Sequence, residues 1–107
     1  MSILFVIIIS VTIKAQNNID SLTIRERRYN INVIRVQNEI NNIVQYIKKS
    51  DYTLEQKVEI LRVFDNTIIK SINSRKGINF SSDYTTRMII RYIDNSSIMI
   101  IQQITNE

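Results

Sequence analysis

The stretch that decides the fold is residues 19–49, IDSLTIRERRYNINVIRVQNEINNIVQYIKK. Apolar side chains recur in it at alternating spacings of four and three residues, which is the periodicity of a helix with one apolar stripe. Lys48 and Lys49 near its end suit the negative end of the helix dipole. The pattern therefore predicts one long helix whose stripe consists of Leu22, Tyr29, Val33, Val36, Ile40, Ile43 and Ile47.

This apolar stripe has two interpretations. Thirty helical residues rise about 45 Å, which is longer than a domain of this size is wide. The stripe is then either the core-facing side of the helix within one chain, or in part a coiled-coil seam that joins a second chain. The second interpretation makes it a candidate interaction seam, compatible with a protein partner or a homo-oligomer.

The segment Thr53-Leu54-Glu55-Gln56 predicts the start of a second helix, because it fits a capping box with Thr53 as the N-cap. Gly77, the only glycine, follows a basic last turn and is expected in the left-handed conformation directly after the helix. The apolar stripe of this helix is predicted to consist of Leu54, Val58, Leu61, Phe64, Ile68 and Ile72.

The C-terminal part allows two structures. Ser82 or Asp83 is a suitable cap for a third helix that runs to about residue 103. The turn-like residues 94–97 interrupt that pattern, and the alternative is a hairpin of residues 88–93 against residues 98–104. The sequence predicts an all-α fold, with a long N-terminal helix packed against a two-helix C-terminal part. An α+β fold with a C-terminal hairpin is the alternative.

The first residues have the pattern of a targeting signal. Residues 3–13 are almost wholly apolar, but a helical membrane span needs roughly 20 residues. Their length is typical of the apolar region of a secretory signal, with Ala15 as the small residue before the cut. We therefore predict a signal peptide in residues 1–15 and a single exported helical domain, periplasmic or extracellular, in residues 16–107. The alternatives are a retained membrane anchor, which alone would bring membrane contact, and a buried segment of an intracellular domain.

Composition excludes several classes of chemistry. The 107 residues carry a net charge of +4 and contain neither Cys nor His. This removes disulfides, the usual zinc ligands, and the bases of Ser–His and Cys–His catalysis. A single glycine does not build a phosphate-cradling loop. The sequence predicts no enzyme, no cofactor and no metal site.

Basic residues follow one flank of the first helix. Such a stripe is able to track a phosphate backbone, but Glu26 and Glu39 lie close by and the net charge is small, which disfavours nucleic acid. A solvated face beside an apolar seam is the preferred interpretation. The candidate anion-contact flank consists of Arg25, Arg28, Arg35 and Lys49.

The expected function follows from these exclusions. The chain reads as a small, exported, non-catalytic helical protein with an interaction or structural role, able to self-associate. The alternatives are a membrane-anchored accessory subunit and a basic helical nucleic-acid-binding protein.

Overall fold

The structure, a computed structural model, describes residues 23–106 as three helices. Helix α1 is Ile24–Lys49, α2 spans residues 54–74, and α3 is Asp83–Thr105. No strand occurs among these residues. The predicted all-α fold, a long helix packed against a two-helix C-terminal part, is confirmed. The predicted leader in residues 1–15 and Leu22 of the seam lie outside the described part of the chain.

Helix α1 begins at Ile24, later than the predicted residue 19, because Thr23 is the N-cap. The Thr23 side-chain oxygen accepts a hydrogen bond from the Glu26 backbone N–H at 3.2 Å. The helix ends at Lys49 as predicted, where the Ser50 N–H donates to the Ile47 carbonyl oxygen at 3.3 Å. Its 26 residues rise about 39 Å.

The predicted capping box of α2 is confirmed. The Gln56 N–H donates to the Thr53 hydroxyl oxygen at 3.1 Å, and the Thr53 N–H donates to the Gln56 side-chain oxygen at 3.0 Å. These reciprocal bonds satisfy N–H groups that the first helical turn leaves without a partner. Local hydrogen bonds therefore define the residue at which α2 begins.

Helix α2 contains a π-helical turn that the sequence did not reveal. Two α-helical pieces, Leu54–Phe64 and Lys70–Ser74, flank the π segment Asp65–Ile69. Within it the Lys70 N–H reaches back to the Asp65 carbonyl oxygen. The wider turn adds a residue to the local repeat, and the adjacent Ile68 and Ile69 are both fully buried.

The predicted apolar stripe of α2 is wrong at its first two positions. Leu54 and Val58 are 78% and 55% exposed. The side of α2 that meets the other helices begins with Ile60 and Leu61. Leu54 and Val58 share a face one turn apart that lies outside this contact.

Gly77 does adopt the left-handed conformation, with φ of +83°. However, α2 ends at Ser74 and Arg75 is its extended C-cap. Gly77 therefore lies in a turn beyond the helix, and not directly after its last residue.

The third helix is continuous, so the hairpin alternative is wrong. The Ser82 side-chain oxygen accepts from the Thr85 N–H at 3.2 Å and caps α3. Residues 94–97 are helical because Ile93 and Ser97 lie on the buried side, and packing overrides their weak helix propensity. The Ser97 hydroxyl donates to the Ile93 carbonyl oxygen at 2.6 Å, which satisfies it inside the core.

All three helices share one apolar core. Helix α2 runs antiparallel to both neighbours, and α1 and α3 run side by side in the same direction. Fully buried side chains from each helix meet in a single cluster: Ile40, Ile47, Ile60, Phe64, Ile68, Ile69 and Ile93.

Candidate functional site

Helices α1 and α3 meet at two points with the same sequence offset. Arg28 contacts Asp83, a separation of 55 residues, and Glu39 lies beside Asp94 in one groove lining at the same separation. A constant offset means that the two helices stay parallel along this length. Side chains from both helices therefore build a shared surface on the side of the bundle away from α2.

The first meeting point is a polar network centred on Asn32, which is 1% exposed. The Asn32 side-chain NH₂ donates to the Phe80 carbonyl oxygen at 2.6 Å and to Asp83 Oδ1 at 3.1 Å. Arg28 Nη1 donates to Asp83 Oδ2 at 2.6 Å, and Arg35 Nη1 donates to Asn32 Oδ1 at 3.0 Å. This Asn32 network thus binds the start of α3 to α1 through one buried amide.

Opposite charges in the Asn32 network stabilise the ionised form of Asp83. The hydrogen bond from Asn32 lowers the pKa of Asp83 most, and the charge and hydrogen bond of Arg28 and the charge of Arg35 lower it further. Partial desolvation opposes these effects without reversing them. Asp83 therefore remains a carboxylate that holds two cations and an amide in place.

The second meeting point joins two acids. Burial, a hydrogen bond with Asp94 and the negative charge of Asp94 raise the pKa of Glu39, in that order of size. Among residues 23–106 the salt bridges are Arg28–Asp83 and Arg62–Glu59. Neither involves Glu39 or Asp94, so within the described residues no cation lies in salt-bridge contact with this Glu39–Asp94 pair.

The Glu39–Asp94 pair opens into a groove of about 530 Å³ between α1 and α3. The groove has an acidic edge and mainly apolar or aromatic walls, and Tyr46 and Ile98 in these walls are more than half exposed. Such a surface suits a partner that presents apolar side chains beside a cation. Its walls are formed by Asn42, Ile43, Tyr46, Tyr52, Ile98, Ile101 and Gln102.

Most of the predicted seam lies inside the protein's own core. Val33, Val36, Ile40 and Ile47 are buried against the other helices, which matches the intramolecular interpretation of the stripe. Tyr29 packs edge-on against Phe80, with ring centres 5.8 Å apart. Ile43 differs from the rest because it is half-buried and lines the α1–α3 groove.

The predicted anion-contact flank is divided between separate places. Arg28 and Arg35 come together in the Asn32 network. Arg25 contributes its backbone carbonyl oxygen, which accepts from the Ser81 hydroxyl at 3.3 Å. Lys49 is the last residue of α1, about 30 Å from Arg28 along the helix.

Sequence reasoning missed Asn32, Asp83 and Asp94 as site residues. A usable signal existed, because Arg28 and Glu39 are eleven residues apart, as are Asp83 and Asp94. Eleven residues are close to three helical turns, so each pair shares one helix face. Matching the two spacings would have indicated two faces that can meet at two points, for parallel and antiparallel helices alike.

The described chain offers few other features that point to a function. Residues 23–106 contain no group of three acidic, His or Cys side chains placed to hold a metal ion. None of the three helices combines the length and the apolarity needed to cross a membrane. No protein-family model matches the chain, and no curated protein or solved structure shows significant similarity to it.

Proposed function

We propose that the protein is a non-catalytic interaction module that binds a protein partner through the groove between α1 and α3. The observation that carries the proposal is the Glu39–Asp94 pair at the edge of an exposed apolar groove. Holding two acids together without a cation opposes folding when both are ionised, since they repel each other and burial desolvates them. A cation supplied from outside would compensate that cost.

The exposed side chains of the groove support the same proposal. Tyr46 is 60% exposed and Ile98 is 54% exposed, on neighbouring helices. Aromatic residues are enriched at protein interfaces because they bury large areas with little loss of conformational entropy. One docked segment can cover both side chains and also bring a cation to the two acids.

A non-catalytic role is supported by what surrounds the two acids. Glu39 and Asp94 lie in the middle of their helices, where backbone N–H groups are used in helical hydrogen bonds. Backbone donors of that kind are therefore not available to stabilise a developing negative charge on a substrate. The groove walls contribute amides and phenols but no Lys or Arg.

The test compares two substitutions of the same type on opposite sides of the bundle. Ile98→Asp places a charge in the groove, whereas Val58→Asp places one at an exposed apolar position on α2. We expect the tagged wild-type protein and Val58→Asp to capture the same partner in the native host, and Ile98→Asp to lose it. Equal capture by both variants, with unchanged circular dichroism, would contradict the proposal.

Export is a separate part of the proposal and rests on the predicted signal peptide in residues 1–15. Intact mass of the protein from its native host tests it. Loss of residues 1–15 supports export, and a full-length mass in the membrane fraction supports the anchored alternative.

A further inference from the structure

We infer that the partner in the α1–α3 groove is a second copy of this chain, packed antiparallel across a two-fold axis. The inference rests on the proposed function, because it names the occupant of the same groove. The contact surface, termed the α1–α3 face, is the exposed side of these two helices opposite α2. Its central charged residues are Arg35 and Glu39 from α1, and Arg91 and Asp94 from α3.

The α1–α3 face is self-complementary in charge. On α1 the cation Arg35 precedes the acid Glu39 by four residues, and on α3 the cation Arg91 precedes Asp94 by three. Each helix thus has a cation and then an acid on adjoining turns. An antiparallel copy presents the same groups in reverse order, so Arg35 and Arg91 each meet an acid.

A single axis satisfies both helices. The two-fold axis is perpendicular to the helices and passes midway between Arg35 and Glu39. Arg35 then lies opposite Glu39 of the second copy, and Glu39 lies opposite Arg35 of the second copy. Because α3 runs parallel to α1 at an offset of 55 residues, the same axis passes between Arg91 and Asp94. Two-fold dimers are the commonest symmetric assemblies, and their interfaces must be self-complementary in this way.

The apolar side chains agree with this register. The same axis brings Ile31, which is 58% exposed, opposite Ile43 of the second copy in the groove wall. It also brings Tyr46 opposite Arg28, a pairing of aromatic ring and guanidinium that is favourable. The apolar and charged features of the face therefore select one register together.

The size of the face is sufficient for a stable dimer. Helix α1 is about 39 Å long, and two adjacent helices are about 20 Å wide. This area is close to the roughly 800 Å² per partner that a standard protein interface buries. A second copy also presents both features that the groove requires, the cation and the apolar side chains.

Charge exchange tests the inference with the full-length protein in sedimentation experiments. We expect the wild type to dimerise, and Arg35→Glu or Glu39→Lys each to weaken the dimer by more than about a hundredfold, because like charges would then face each other. Mixing the two variants should restore association as a heterodimer, since each supplies the charge that the other lacks. Circular dichroism of each variant confirms that it is folded.

Disulfide trapping tests the position of the axis. The chain contains no cysteine, so one introduced cysteine reports one contact. Asn38→Cys lies on the exposed side of α1 near the axis and should form a covalent dimer under mild oxidation. Asn66→Cys is the matched control, on the exposed side of α2, and should stay monomeric.

Each outcome separates this inference from the proposed function. A monomeric wild type, association that ignores both charge changes, or equal trapping of the two cysteine variants would overturn the second-copy inference. If Ile98→Asp still abolishes capture of a different protein in that case, the groove remains an interaction site. If Ile98→Asp changes neither dimerisation nor capture, both proposals are wrong.

Discussion

Arg28 beside Asp83 and Glu39 beside Asp94 are equivalent positions along the same pair of helices, with the same offset between α1 and α3. At the first position opposite charges meet around a buried amide, and the pKa of Asp83 is lowered. At the second position two acids meet, and the pKa of Glu39 is raised. Identical helix geometry therefore gives a contact that holds the fold together and a contact that leaves charge unsatisfied.

This difference separates a contact that stabilises the three-helix bundle from a contact that is available to a partner. In the Asn32 network the Asn32 amide and both Asp83 oxygens have partners within the chain, so this contact requires no second protein. When both acids of the Glu39–Asp94 pair are ionised, the pair adds nothing favourable to the isolated chain, because each carboxylate raises the electrostatic energy of the other. Substitutions at the two positions should accordingly change stability in opposite directions.

The largest effect is expected for Asn32→Asp, which is nearly isosteric. It removes the N–H donors to the Phe80 carbonyl and to Asp83, and it places a second carboxylate beside Asp83. We expect a loss of about 3 kcal/mol in the free energy of unfolding, because the buried amide donors are lost and the two carboxylates repel each other. Urea denaturation measures it.

The matched control for this prediction is Asn66→Asp, the same chemical change at an exposed position of α2, away from the α1–α3 face. It should alter stability by no more than about 0.5 kcal/mol. Similar losses in both variants would mean that burial and hydrogen bonding of Asn32 are not what joins α3 to α1.

A smaller loss is expected for Asp83→Asn. Since the pKa of Asp83 is lowered by folding, its carboxylate contributes stability above its ordinary pKa. That contribution is lost as pH falls through the lowered value. The variant should therefore melt at a lower temperature than the wild type at neutral pH, and the difference should vanish in acid.

Glu59→Gln is the control for Asp83→Asn. Glu59 also has a lowered pKa, from its hydrogen bond with Arg62, but that pair is three residues apart on the exposed side of α2. Local surface pairs stabilise little. A shift in melting temperature as large as that of Asp83→Asn would contradict a special role for the link between α1 and α3.

Much of the fold was predictable because local sequence signals specify it. Caps such as Thr53 and Ser82 and the apolar periodicity specify three helices, and each helix then has one side to bury. The same reasoning misplaced residues whose burial depends on neighbours. Val44 is 1% exposed although Ile43 was assigned to the stripe, because the contact with two helices covers a broader side of α1 than a narrow seam.

The candidate site was less predictable for a related reason. Asn32 reads as a poor helix former on a polar side, and only the approach of the Phe80 carbonyl and Asp83 makes it a buried centre. Asp94 lies in a segment whose sequence is typical of a turn, and packing keeps residues 94–97 in the helix. The π-helical turn at Asp65–Ile69 contains the fully buried Ile68 and Ile69, and the sequence analysis found no local signal for it.

The smallest effect, and the one with the opposite sign, is expected for Glu39→Gln. Folding raises the pKa of Glu39, so its contribution to stability is fully present below the ordinary glutamate pKa and is lost as pH rises through the raised value. At neutral pH the neutral glutamine should therefore raise the melting temperature of the dilute monomer. The gain should disappear in acid.

Measuring Glu39→Gln at low and at high protein concentration separates its effect on the monomer from its effect on the dimer. Glu55→Gln, in the first turn of α2, removes an acid that favours the helix dipole, so it should not stabilise and serves as the control. In a two-fold dimer Glu39 would face Arg35 of the second copy, and Glu39→Gln would then remove a favourable pair. A substitution that stabilises the dilute chain but weakens its dimer would show that the acid is retained for association. A variant that destabilises the monomer at neutral pH would mean that Glu39 and Asp94 do not repel each other in the folded chain.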